Sequence, residues 1–217
     1  MKLLLTSGGI SNNLIANTLH DMIGKVFSEA TLAFIPTAAN VEKGDKGWLI
    51  KDLVKCKDLG FKEVDIVDIS ALSQDEWLPR LEIVDVIMFG GGNTSYLMHW
   101  LKKSGLNKIL PKLLTTKVYV GVSAGSMVVA PNLREKEMQK IYNEPIVDDE
   151  SNEGLGLVDF LVVPHINSPY FPRALEFVEE LAKNIIVPMY AIDDETAIAI
   201  WGEKTEIISR GFWKKFN

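Results

Sequence analysis

Cysteine is nearly missing from this 217-residue chain, in which Cys56 is the only one. A single cysteine excludes a disulfide within the chain and a zinc site built from several cysteines. Cys56 ends an apolar stretch with helical spacing, so we expect a buried small side chain and not a reactive thiol.

Long apolar runs and basic clusters are missing as well. No stretch approaches the ~20 apolar residues that a membrane-spanning helix requires. The apolar run at the start stops at Thr6 and is too short for a signal peptide. The net charge is −6 and the acidic residues are scattered, which leaves no basic surface for a phosphate backbone. We therefore expect a cytoplasmic protein that binds neither nucleic acid nor membranes.

Short apolar runs alternate with longer amphipathic segments over the first 130 residues. The runs are apolar on both faces, which is typical of parallel strands buried between two helix layers. The pattern predicts strands at 2–6, 31–36, 64–69, 84–89 and 117–122, and helices at 11–26, 46–59, 74–81, 95–103 and from Ala124. Repeated βα units of this kind indicate an α/β fold with a doubly wound, mostly parallel sheet.

The pattern changes after Ala130. Residues 131–157 are polar, and a loop of that length in a compact domain is often functional. A strand is expected at 160–164 and a helix after Pro172. Short strands at 189–193, 197–201 and 206–209 are expected to close the sheet in antiparallel fashion. We expect residues 1–217 to form a single domain.

The segment Gly121-Val-Ser123-Ala-Gly125 has the Gly-x-Ser-x-Gly pattern of a nucleophile elbow, placed between a strand and a helix. Such a turn lifts the serine hydroxyl above the strand ends, where the N-terminus of the next helix favours a developing oxyanion. Ser123 is therefore the candidate nucleophile, and the amide of Ala124 is the first candidate oxyanion donor.

A second glycine-rich turn, Gly90-Gly91-Gly92-Asn93, also lies between a strand and a helix. Its amides could bind a phosphate, but neither a Lys–Ser/Thr pair nor a G-x-G-x-x-G pattern accompanies it. We expect Gly91 or Gly92 to supply a second oxyanion donor. The plainer alternative is a turn in which Asn93 or Thr94 caps the following helix.

A serine nucleophile needs a base, and the chain has three histidines, His20, His99 and His165. The first two fall within predicted helices. His165 follows a predicted strand, and catalytic groups gather at that edge of a parallel sheet. His165 is thus the candidate base. The candidate acid is Glu144, with Asp148, Asp149, Asp194 and Glu195 as alternatives.

The two glycine-rich turns, in this order and with the Pro164-His165 segment after them, resemble the peptidase E (aspartyl dipeptidase) family of serine peptidases. The resemblance runs to about residue 175, and cyanophycinases are more distant relatives. It implies a class I glutamine amidotransferase-like fold, cleavage of short peptides, including dipeptides with N-terminal aspartate, and neither metal nor cofactor.

Carried over residue by residue, the resemblance makes Ser123 the nucleophile, His165 the base and Glu144 the acid. Other members place the histidine where this chain has Tyr170, and aspartate-specific members hold an arginine near Arg173. The candidate substrate-binding residues are Asn93, Tyr170 and Arg173.

Three other functions stay open on the sequence alone. An esterase would share the elbow, an amidotransferase-like protein without catalysis would keep the fold, and a nucleotide-binding module would use the glycine-rich turn for phosphate. We expect a small peptide as the partner and a monomer or a homodimer, with Trp213 in a small contact.

Overall fold

The computed structural model describes residues 1–147 and 152–217. Within them the strands are β1 (Lys2–Thr6), β2 (Thr31–Ile35), β3 (Glu63–Ile66), β4 (Val86–Phe89), β5 (Val118–Val122), β6 (Leu161–Val163), β7 (Met189–Ile192), β8 (Thr196–Trp201), β9 (Lys204–Ser209) and β10 (Trp213–Phe216). A large sheet has the order β3-β2-β4-β5-β1-β8-β9, and a small one has the order β10-β7-β6.

The helices among the described residues are α1 (Asn13–Ile23), α2 (Gly47–Asp58), α3 (Gln74–Ile83), α4 (Thr94–Lys103), α5 (Leu106–Leu113), α6 (Ala124–Met127), α7 (Glu135–Tyr142) and α8 (Ala174–Ala182). Local chemistry sets some of these bounds. α1 begins after Asn12, whose side chain accepts two backbone N–H bonds, and ends at Gly24 with a φ of 78°. None of these helices is both long and apolar enough to cross a membrane.

The inner strands of the large sheet are buried on both faces, as the sequence predicts, whereas the edge strands β3 and β9 are partly exposed. Its first five strands in spatial order are parallel, and β8 and β9 extend it in antiparallel fashion. Alternate residues of each strand enter different clusters: Leu3 and Leu5 pack with α3, α4 and α5, whereas Leu4 packs with α1 and with Cys56 of α2. The doubly wound α/β fold is thus confirmed, with Cys56 completely buried.

The small sheet corrects one detail of that prediction. β7 does not close the large sheet but pairs with β6 in parallel and with β10 in antiparallel fashion. Its residues form a third cluster with Val178 of α8 and Met138 of α7. Alternation along a short apolar strand predicts the strand but does not say which sheet it joins. α7 also lies inside the segment expected to be a loop.

Candidate active site

Ser123 lies between β5 and α6 with a φ of 48° and a ψ of −108°. A positive φ is costly for a residue with a side chain and is a known feature of nucleophile elbows. The turn is too tight for side chains on its flanks. A Cβ on Gly121 would lie 2.6 Å from the carbonyl oxygen of Gly125, and a Cβ on Gly125 would lie 2.3 Å from that of Phe89. Because neither glycine has a side chain, the chain has room for the strained backbone conformation of Ser123.

His165 follows β6 closely and reaches Ser123 through space. Its Nε2 atom lies 2.9 Å from Ser123 Oγ. Its backbone is left-handed, with a φ of 63°, which turns the ring away from the direction of the strand. The Phe171 ring lies beside it, 5.4 Å between centroids, and Tyr142 donates a hydrogen bond to the carbonyl of Pro164. The segment is thus held on both sides of the histidine.

Asp194, in the turn between β7 and β8, binds the other ring nitrogen of the histidine. His165 Nδ1 lies 2.7 Å from Asp194 Oδ1. Burial raises the pKa of this carboxyl, but hydrogen bonds from His165 and Ser7 and the positive charges of His165 and Lys51 outweigh burial, so that the pKa is lowered. The carboxylate is therefore ionised at neutral pH and can stabilise a positively charged imidazole.

Glu144, the expected acid, does not meet the histidine in this structure. Glu144 Oε2 accepts a hydrogen bond of 2.9 Å from the backbone N–H of Thr94, at the start of α4, and makes none to His165. Among the alternatives, Glu195 accepts from the amide of Asn12. Asp148 and Asp149 lie outside the described residues. Asp194 is the carboxylate that the fold brings to the histidine.

The glycine-rich turn lies directly beside the nucleophile. A Cβ on Gly91 would lie 3.4 Å from Ser123 Cβ. The N–H groups of Gly90 and Asn93 donate to the carbonyls of Ile35 and Ala38, but within the described residues those of Gly91, Gly92 and Ala124 meet no protein acceptor. Free N–H groups on both sides of a serine are what an oxyanion hole requires.

The three candidate substrate-binding residues lie outside this arrangement. Asn93 is completely buried, and its side chain accepts from the N–H of Tyr96 and donates to the carbonyl of Pro145. It caps α4, as the plainer alternative predicts. Arg173 is exposed and paired with Glu176. Tyr170 is 86% exposed, and its hydroxyl makes no hydrogen bond within the described residues.

Sequence reasoning missed Ser7, which follows β1 and is completely buried. Its Oγ donates to Asp194 Oδ1 at 2.5 Å and accepts from the backbone N–H of His165 at 2.8 Å. The register pairs Thr6 with Val122, so that Ser7 ends one strand beside Ser123 at the end of the next. A polar residue directly after a buried strand was the available signal.

The described residues contain no group of three or more His, Cys, Asp or Glu side chains placed to hold a metal ion. The chemistry that these side chains can perform is nucleophilic attack by a serine with an imidazole as base.

The model of peptidase family S51 matches residues 3–208. An uncharacterised peptidase of Pasteurella multocida is 31% identical over 195 residues, which cover 87% of this chain and 88% of the relative. Peptidase E of Shewanella oneidensis is 30% identical over 158 residues, covering 69% of this chain and 64% of the relative.

Solved structures agree with these relatives. A Listeria monocytogenes protein with a provisional peptidase E name superimposes with a TM-score of 0.81 at 28% identity, covering 97% of this chain and 98% of that one. A peptidase from an acI-B1 Actinobacterium, at 18% identity and a TM-score of 0.70, shares the fold. Since the family model spans nearly the whole chain, this protein belongs to peptidase family S51 and is a serine peptidase.

Proposed function

We propose that this peptidase hydrolyses short peptides through a Ser123–His165–Asp194 triad. One observation carries the proposal: the two ring nitrogens of His165 face Ser123 Oγ at 2.9 Å and Asp194 Oδ1 at 2.7 Å. With the proton on Nδ1, Nε2 is free to accept the serine proton, and the carboxylate holds that tautomer.

The reaction follows the order of these contacts. Ser123 Oγ forms a bond to the peptide carbonyl carbon while its proton passes to His165 Nε2. The resulting oxyanion accepts hydrogen bonds from the N–H groups of Ala124 and of Gly91 or Gly92. The carbon–nitrogen bond then breaks, and the imidazolium gives its proton to the leaving amine. Water, deprotonated by His165, attacks the acyl-enzyme and restores the serine.

Details of the site argue against the other functions. A protein without catalysis would not need a base beside the serine, yet His165 lies within hydrogen-bonding distance of Ser123. A phosphate at the start of α4 would meet the Glu144 carboxylate, which already accepts the N–H of Thr94. The order Ser–His–Asp along the chain also differs from the Ser–acid–His order of α/β-hydrolase esterases.

Short peptides are the proposed substrates because the resemblance to the peptidase E family implies them, and relatives of this chain carry that name. The resemblance also implies a preference for N-terminal aspartate, but the ion pair of Arg173 with Glu176 at the surface does not support it. We propose no preference for an acidic residue. The cytoplasmic location stays a prediction.

Labelling with a fluorophosphonate, followed by mass spectrometry of the modified peptide, tests the triad. We expect modification of Ser123 in the natural protein, none in Ser123→Ala, and a rate of labelling strongly reduced in His165→Ala. Turnover of a dipeptide library should fall on the order of 10⁵–10⁶-fold in Ser123→Ala.

Ser126→Ala is the matched control, since Ser126 lies in the same turn but donates to the carbonyl of Thr6. It should still be labelled at Ser123. A natural protein that folds and resists the probe, or a Ser123→Ala variant with full peptidase activity, would refute the proposal.

A further inference from the structure

Two side chains one turn apart on α2 face the active site. The Trp48 ring and Ser123 Cβ approach the same point, lying 3.8 Å and 3.4 Å from where a Cβ on Gly91 would be. Asp52 Oδ1 lies 2.9 Å from where a Cβ on Gly9 would be, in the turn that follows β1 and Ser7. Residues four apart share a helix face. This face of α2 therefore borders the nucleophile and the turn beside the triad.

Asp52 has no fixed partner in the described part of the chain. Its carboxylate makes neither a hydrogen bond nor an ion pair there, although it is partly buried. Burial raises its pKa to about 7, against the positive charges of Lys51 and His165, which lower it. A carboxylate held near a catalytic centre without a counter-ion is destabilised, and a cation supplied by a ligand would relieve this.

A peptide brings such a cation. The α-ammonium of its first residue is two bonds from the carbonyl carbon of that residue, so it must lie near Ser123 whenever the first peptide bond is cut. We propose that Asp52 binds the α-ammonium of the substrate, so that this residue selects peptides with a free N-terminus. The inference rests on the proposed function, because it assigns a substrate group to the same site.

The placement of charge favours this cation over an acidic side chain. Asp52 would repel a substrate carboxylate, while Arg173 is paired with Glu176 at the surface. A lysine or arginine side chain in the substrate would carry its charge several bonds farther from the scissile carbonyl. The positive charge of His165 lowers the pKa of Asp52, so the carboxylate lies on the side of the site that suits a group attached close to that carbonyl.

Matched substrates test the assignment on the natural protein. From a panel of dipeptides X-Leu, the one with the highest kcat/KM is compared with its des-amino and N-acetyl analogues. We expect kcat/KM to fall about 100-fold when the ammonium is removed, because a buried charge loses its partner. Equal cleavage of the free and des-amino peptides would overturn the inference without any variant.

Asp52→Asn then locates the effect. In this variant the ratio of kcat/KM for the free peptide to that for the des-amino peptide should fall to within about fivefold. The exposed Asp58, on the same helix, provides the matched control Asp58→Asn, which should keep the natural ratio. An unchanged ratio in Asp52→Asn, or a loss confined to substrates with lysine or arginine side chains, would overturn the inference.

Fluorophosphonate labelling of Asp52→Asn separates this inference from the proposed function. Labelling at Ser123 should persist in the variant because the probe has no ammonium group. Persistent labelling with an unchanged substrate ratio would leave the triad standing and remove Asp52 from substrate binding. A natural protein that is not labelled at all would instead remove the triad.

Discussion

The turn that carries Asp194 and the segment that carries Glu144 present two carboxylates in opposite electrostatic settings. The side chain of Asp194 is 48% exposed, and hydrogen bonds from His165 and Ser7 help to lower its pKa. Glu144 is the more enclosed, and burial raises its pKa to about 7 despite the hydrogen bond from Thr94. Glu144 is nearer to His165 in the sequence, but Asp194 is the carboxylate that meets it.

The difference follows from what each carboxylate touches. A group that accepts hydrogen bonds from an imidazole and a hydroxyl is stabilised as an anion and can orient the base. A group packed at a helix start satisfies a backbone N–H and supports the local structure. The start of α4 lies next to the glycine-rich turn. Glu144 therefore supports the backbone beside that turn, whereas Asp194 binds the ring of His165 directly.

The largest expected difference in activity comes from removing the negative charge at each of these two positions. Asp194→Asn should lower kcat on a dipeptide substrate ~10³–10⁴-fold, because the amide no longer holds the tautomer that presents a free Nε2 to Ser123. Glu144→Gln is the matched variant and should retain kcat to within about tenfold, since the amide oxygen can still accept from Thr94. Steady-state kinetics on both variants measures the contrast.

Melting curves of the two variants show whether each has folded. If Glu144→Gln lost more activity than Asp194→Asn while both stayed folded, the assignment of the acid would have to be reversed.

A smaller effect is expected at Ser7, which touches only one side of this comparison. Ser7→Ala removes the hydroxyl that donates to Asp194, so kcat should fall about tenfold with KM little changed, the size expected for one hydrogen bond to a charged group. Thr31→Val is the matched control because it removes a hydroxyl that donates to Asp85 at the start of β2, the opposite edge of the sheet from Ser7. Equal losses of kcat in the two variants would mean that Ser7 acts only through stability.

The smallest effect concerns stability and belongs to Glu144. Burial raises the pKa of Glu144 from 4.5 to about 7, with the charge of Glu42 acting in the same direction. The folded state therefore binds a proton that the unfolded state releases between these values. The contribution of Glu144 to the free energy of unfolding is greatest below pH 4.5 and falls as the pH rises to about 7.

Glu144→Gln should consequently flatten the decline of unfolding free energy between pH 4.5 and about pH 7, as measured by urea denaturation. The control Glu203→Gln changes an exposed glutamate between β8 and β9 and should keep the natural slope. A slope that is unchanged in Glu144→Gln would show that Glu144 ionises in the folded protein as it does in the unfolded chain.

Much of the large sheet and half of the site could be predicted from local patterns. Apolar runs on both faces predict parallel strands between helices because burial on both sides removes the polar alternation. The elbow at Ser123 and the glycines beside it follow from backbone geometry, since a Cβ on Gly121 or Gly125 would collide with a carbonyl. His165 could be predicted from its place after a strand. These features depend on neighbours within a few residues.

The sequence by itself thus determined the fold class, the strained serine and the free amides beside it. Only the tertiary structure decided that β7 joins a second sheet, that Asp194 and Ser7 meet His165, and that Arg173 stays at the surface. The physical reason is that the residues next to a carboxylate or a short strand do not determine which group it will pair with. Its pairing depends on segments up to about 190 residues apart, brought together when the sheet and its helices pack.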